Sequence, residues 1–152
     1  MIQIKRLRVE IKTTNGVYGI DETFKSGLNF IASTDNTRGK SSVLAAIYYC
    51  LGLEQILGGV GGIGPKVLTA AYKSSLQDGE AHHTVLESGA YLEISNGIQT
   101  ITIFRSITHE SKDPHLLTVY FGEYSEIGNP KIQFHILTQT LTRRSSAQVL
   151  TH

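Results

Sequence analysis

Residues 28–52 narrow the choice of folds more than any other stretch of this chain. Leu28-Asn29-Phe30-Ile31-Ala32 is apolar, Ser33-Thr34-Asp35-Asn36-Thr37-Arg38-Gly39 is polar, and Lys40-Ser41-Ser42 opens a helical run over 43–51. The pattern predicts a buried strand, a loop and a helix. A loop ending in Gly-Lys-Ser at a helix start gathers free backbone N–H groups and the positive end of the helix dipole on one point, which suits a phosphate. A nucleoside triphosphate is the expected ligand.

Each residue type has a chemical reason to stand where it does. Gly39 lets the backbone approach phosphate, Lys40 can reach the β- and γ-phosphate oxygens, and the Ser41 hydroxyl is placed to ligate Mg²⁺. Asn36, Thr37, Arg38 and Ser42 complete the expected nucleotide-binding set, with Ser42 a second-rank hydroxyl and Arg38 an added positive charge. The match to G-x-x-x-x-G-K-[ST] is incomplete, because Thr34 stands at the first glycine and Thr37 at a position often glycine in such loops. A β-branched residue tolerates positive φ badly, so Thr37 must sit at negative φ or strain the loop.

The expected seat has a geometric requirement: amides around residues 38–41 form a concave, positively polarised surface between a buried strand and the first long helix. A helix with no strand behind it would count against the whole reading.

The rest of the chain reads mainly as β-structure. Ile2, Ile4, Leu7, Val9 and Ile11 alternate with polar residues except for one slip at Lys5-Arg6, which predicts a half-buried strand with a bulge. Asn15-Gly16 predicts a hairpin returning over 17–24, and Asn96-Gly97 a second one. In the helical run, Val43, Leu44, Ile47, Cys50 and Leu51 are expected to form one wide apolar stripe. The glycine-rich stretch 58–64 is expected to be a loop, and Pro65 to open a short helix over 66–76, with Val67, Leu68, Ala71 and Tyr72 inward, closed by Asp78-Gly79.

Beyond residue 80 a period of two predicts strands at 82–87, 91–95, 98–107, 116–124 and 131–138. Ile101, Ile103 and Arg105 fall on one face of their strand, and Thr100, Thr102 and Phe104 on the other. The polar tail 139–152, with Arg143-Arg144, is barely constrained.

Composition excludes several function classes. Fourteen Lys and Arg against thirteen Asp and Glu leave no net charge that demands nucleic acid or an anionic membrane. Cys50 is the single cysteine, so a disulfide framework is ruled out, and its place in the helical run predicts a buried thiol. The lack of a leader or membrane-length apolar run favours a cytoplasmic protein without a membrane partner. Adjacent His82 and His83 should point to opposite faces of a strand, and no histidine spacing suggests zinc. Arg6, Arg8 and Lys12 are expected to be ordinary surface charge.

The order of these pieces resembles the N-terminal part of the SMC-like coiled-coil ATPases of chromosome maintenance and double-strand-break repair, with similar proteins among bacterial anti-phage defence systems. The likeness is carried by Ser26-Gly27-Leu28-Asn29-Phe30-Ile31, the Gly39-Lys40-Ser41-Ser42 loop and Val43-Leu44-Ala45-Ala46-Ile47-Tyr48-Tyr49-Cys50-Leu51-Gly52. The hairpin Tyr91-Leu92-Glu93-Ile94-Ser95-Asn96-Gly97 and Ile101-Thr102-Ile103-Phe104-Arg105-Ser106-Ile107 extends it through residue 107.

The resemblance implies an α/β fold: a partial P-loop head lobe, its mixed β-sheet with antiparallel hairpins packed around the P-loop helix. It implies ATP and Mg²⁺ as cofactors, Lys40 as the catalytic lysine, and a glutamine after a later strand that senses Mg²⁺ and γ-phosphate. Gln139 is the candidate and Gln133 the second choice. The apolar strand ending in Asp-Glu (Walker B), the Leu-Ser-Gly-Gly signature and any heptad run are missing from 1–152. By resemblance the chain is therefore expected to be the Walker A half of a head. Its partners would be a C-terminal half with Walker B and coiled coil, a second head engaged through nucleotide, and DNA. Two readings of other classes compete. One is a complete small phosphate-loop kinase or nucleotidase using Asp21, Asp35 or Asp113; the other is a non-catalytic β-rich interaction module.

Overall fold

A computed structural model describes residues 1–32, 40–53, 68, 70–126, 133–137 and 149–150. Among the described residues it shows a mixed α/β fold in which an antiparallel sheet carries one long helix. The strands are β1 (Gln3–Thr13), β2 (Gly16–Thr23), β3 (Ser75–Asp78), β4 (Ala81–Ser95), β5 (Thr100–Thr108), β6 (Leu116–Phe121), β7 (Gln133–Leu137) and β8 (Val149–Leu150). The long helix is α1 (Lys40–Cys50), and α2 (Ala70–Lys73) is a single turn. Among the described residues the strand order is β2-β1-β4-β5-β6-β7-β8, with β3 paired to the start of β4.

The first hairpin forms as the alternation predicts. β1 pairs with β2 from Arg6↔Thr23 to Thr13↔Gly16, and its register against β4 slips between Ile4 and Arg6, at the phase break in the sequence. That bulge keeps Leu7, Val9 and Ile11 buried on one face while Arg6, Arg8 and Lys12 share the other. The second hairpin is equally local in origin. Asn96 Oδ1 accepts from the amides of Ile98 and Gln99, and Gly97 takes φ +91°, a conformation glycine adopts without a Cβ penalty.

One face of the sheet is covered by α1. Leu7, Val9 and Ile11 of β1 and Val85, Ala90 and Leu92 of β4 join Val43, Ala45, Ala46, Tyr49 and Cys50 in a single core with Leu68 and Tyr72. Ala45 and Ala46 let the helix lie close to the strands, and this turns Leu44 outward, 48% exposed, against the expected stripe. Cys50 is fully buried as expected, and burial pushes its thiol up to about 12. No helix among the described residues is long and apolar enough to cross a membrane.

Four expectations are corrected. The sheet is not mixed: every pairing among the described residues is antiparallel. Residues 28–32 form no strand, and Leu28 and Phe30 are 80% and 84% exposed. The turn before them closes on itself, because the Asn29 side chain donates to the carbonyls of Lys25 and Gly27 and accepts from the Lys25 amide. Among the described residues no strand pairs with this segment.

The helix expected over 66–76 reaches only Lys73, since residues 75–78 pair with 81–84 across the Asp78-Gly79 turn. Asp-Gly is a hairpin signal as well as a helix stop, and here the hairpin prevails. The strands expected at 82–87 and 91–95 are one continuous strand, β4. Gly89 does not break it because the ring of Phe104 occupies the space of its absent side chain: a Cβ there would lie 2.6 Å from Phe104 Cε2.

Candidate functional site

The candidate site is the first turn of α1. Lys40 opens the helix and is partly exposed, Ser41 is exposed and Ser42 is buried. Sequence placed a helix start here from Gly-Lys-Ser ahead of an apolar helical run, and a phosphate ligand would meet the unpaired N–H groups of that turn. Asn36, Thr37, Arg38 and Gly39 lie outside the described residues, as do Thr34, Asp35, the glycine-rich stretch 58–64, Gln139 and Arg143-Arg144. Gln133 begins β7, opposite Tyr120.

The strand that this site calls for is not built. The segment leading to the loop is an exposed apolar run, with Ile31 45% exposed beside the more exposed Leu28 and Phe30. The described residues therefore supply one wall of a phosphate seat, the helix, and not the other.

At its opposite end α1 is fixed by a clamp that includes one residue of the expected nucleotide-lobe hairpin. Arg105 is 1% exposed and lies flat on Tyr49, its guanidinium carbon 3.9 Å from the ring centroid. Its Nη1 donates to the Tyr49 carbonyl at 2.7 Å, and its Nε donates to the Pro114 carbonyl at 2.7 Å. The Tyr49 hydroxyl donates to the Ser106 carbonyl at 2.6 Å and to the Pro114 carbonyl at 3.3 Å. A cation set against the last carbonyls of a helix meets the negative end of its dipole. Arginine suits this position because one planar group can stack and donate in two directions. Alternation put Arg105 on the apolar face of β5, and an arginine at an inward position is itself a sign of such a buried role.

A third feature belongs to α2. The Tyr72 side chain is buried at 4% exposure. Burial raises the Tyr72 pKa, and the Ser42 side chain offsets this in part.

The open face of the sheet carries a cluster of paired charges. Arg6 donates to Asp21 through Nε at 2.6 Å and Nη2 at 2.7 Å, and Arg8 reaches both Asp21 and Glu10. The hydrogen bond from Arg6 is the main reason the Asp21 carboxyl is held below its ordinary value. Lys12 pairs with Glu87 at 3.0 Å. These basic residues are thus balanced by neighbouring carboxylates, in keeping with ordinary surface charge. Asp21 is engaged by two arginines, and Asp113 Oδ1 accepts from the His115 amide. His83 is buried against Tyr18 and Asn15 while His82 is exposed, on opposite faces as expected.

Mg²⁺ prefers six oxygen ligands, usually with a carboxylate among them. Among the described residues Ser41 is the candidate oxygen from the expected set, and no three His, Cys, Asp or Glu side chains gather to hold a metal. The described residues do not make a Mg²⁺ site by themselves. Compared with protein-family models, with curated proteins and with solved structures, the chain matches none.

Proposed function

We propose that this chain is the ATP-binding lobe of an SMC-like ATPase acting in DNA maintenance, repair or defence. The observation that carries the reading is the placing of Lys40, Ser41 and Ser42 in the first turn of a helix whose far end is clamped into the sheet. A rigid helix holds its N-terminal amides and an adjacent ammonium in fixed positions, which is what a polyphosphate requires.

In this reading Lys40 meets the β- and γ-phosphates, the Gly39 amide approaches them, and Ser41 contributes one ligand to a Mg²⁺ that the nucleotide brings with it. Hydrolysis needs a carboxylate to hold the metal and activate water, and belongs to a head completed by a partner half with Walker B and coiled coil. Two such heads closing on nucleotide, with DNA as the further partner, complete the proposal. The exposed run 28–31 is the natural place for the partner half to add its strand, since a strand laid beside it would pair its backbone and cover Leu28 and Phe30.

The missing strand ahead of the helix counts against the nucleotide lobe, and the run 28–31, unpaired among the described residues, favours a second reading, a β-rich interaction module that binds no nucleotide and uses the same apolar segment for docking. Titration of the chain and of Lys40→Ala with a fluorescent ATP analogue, with and without Mg²⁺, separates the two. Saturable, Mg²⁺-strengthened binding that Lys40→Ala abolishes supports the nucleotide lobe. Absence of saturable binding leaves the interaction module.

A further inference from the structure

β2 is an outer strand of the sheet: among the described residues its one neighbour is β1. It contains neither proline nor lysine, the residues that commonly blunt such an edge, and its Asp21 carboxylate is drawn inward by Arg6 and Arg8. The Phe24 amide donates to the Lys5 carbonyl at 2.8 Å, and antiparallel alternation from that bond directs the amides and carbonyls of Val17, Gly19 and Asp21 away from β1. The side chains of the same stretch make a knob and a hole. Val17 is 64% exposed. On the same face Gly19 presents no side chain, and a cavity of about 210 Å³ opens there between Arg8 and Glu10 of β1 and Val17 and Asp21 of β2. That gap belongs to the fold, because a Cβ at Gly19 would run into the Val9 carbonyl oxygen.

We propose that β2 pairs with β2 of a second copy of this chain, antiparallel about a two-fold axis at Tyr18, so that Val17 of each copy fills the gap over Gly19 of the other. The contact is self-complementary, as a two-fold requires. Val17 and the partner's Gly19 both turn their free backbone groups outward, so they exchange a pair of hydrogen bonds, and the axis repeats the exchange on its other side. On the covered face Tyr18 lies opposite the partner's Tyr18, an aromatic cross-strand pair. Asp21 and Glu22 then run toward the partner's turn, where Thr14 and Asn15 carry no charge, so like charges do not meet. Charge balance also favours a second copy over an acidic or basic peptide: Arg6, Arg8 and Lys12 of this hairpin are matched by Glu10, Asp21 and Glu22. The pairing needs no nucleotide and does not depend on the nucleotide-lobe reading.

The test is sedimentation equilibrium of the 152-residue chain without nucleotide, over about a hundredfold range of micromolar concentration, alongside Val17→Pro. Proline suits an edge position whose N–H faces away from the neighbouring strand, and it removes one intermolecular donor and the apolar knob from each copy. The unsubstituted chain should pass from monomer to dimer as concentration rises. Val17→Pro should weaken the dimer about tenfold or more while its far-ultraviolet circular dichroism stays unchanged. Register is read separately by mild oxidation. Tyr18→Cys should cross-link to itself across the axis, where directly opposed residues lie within disulfide reach, and Thr23→Cys, exposed on the same strand, should not. Cys50 is buried and stays silent. Should Val17→Pro lose the native spectrum, the cross-link decides alone. A chain that stays monomeric, a dimer that a folded Val17→Pro leaves intact, a dimer formed only with Mg·ATP, or cross-linking of Thr23→Cys as readily as Tyr18→Cys would each overturn the pairing.

Discussion

The two ends of α1 are built in opposite ways. At Tyr49 and Cys50 the helix is buried, stacked against Arg105 and hydrogen-bonded through it to β5 and to the Pro114 carbonyl. At Lys40 and Ser41 it stands at the surface, and the segment 28–32 that leads toward it exposes its large apolar side chains. A helix needs tertiary packing to persist at this length, and here the packing runs along one face from Ser42 and Val43 to Cys50, leaving Lys40 and Ser41 at the surface.

If this contrast is right, substitutions should lose effect from the clamp outward. The largest loss is expected for Arg105→Met, which leaves the Tyr49 and Pro114 carbonyls without that donor. Urea denaturation should show a drop of about 3 kcal/mol or more. Arg105→Lys should recover part of it, since one ammonium cannot both stack on Tyr49 and serve two carbonyls. A loss no larger than that of an average surface substitution would erase the contrast.

Gly89→Ala comes next. The added methyl meets the Phe104 ring at 2.6 Å, and the expected cost is about 1–3 kcal/mol as the ring shifts against Tyr91, whose centroid lies 4.6 Å away. An unchanged denaturation midpoint would mean that the open face yields more readily than its packing implies.

At the β1–β2 edge, Asp21→Asn should cost about 0.5–1 kcal/mol at neutral pH, the scale of a partly exposed ion-pair cluster. The Asp21 carboxyl is held below its unfolded value, chiefly by the hydrogen bond from Arg6, so its contribution is complete above the unfolded carboxylate range and is lost as pH falls through the folded value. The difference between the two proteins should therefore shrink below about pH 4. A difference that stays constant down through that range would assign the effect to packing rather than to charge.

The smallest effect is expected where the sequence promised most. Leu28→Ser combined with Phe30→Ser should leave stability within about 0.5 kcal/mol, because both side chains already face solvent. A loss of several kcal/mol would show that these residues are covered after all, and would restore the buried strand behind the loop.

What the sequence disclosed follows the range of the interactions involved. The two Asn-Gly hairpins, the bulge at Lys5-Arg6 and the helix start at Lys40 all depend on residues close together in the chain, and all are present. The strand at 28–32 was read from apolar content alone. Apolar content indicates that a segment can be covered, but a strand exists only with a neighbour to pair with, and among the described residues none pairs with it. The Asp78-Gly79 turn was ambiguous for a local reason, since the same dipeptide ends helices and closes hairpins. The clamp of Arg105 on Tyr49 joins positions far apart in sequence, and it has no spacing that could announce it.

The most direct test of the account is a backbone-amide chemical-shift titration of the chain with Mg·ATP. The account predicts saturable shifts at the amides of Lys40, Ser41 and Ser42, weak in affinity and lost in Lys40→Ala, with the amides around Arg105 nearly still. Shifts confined to the exposed 28–31 segment, or no saturable shift in the first turn of α1, would contradict it.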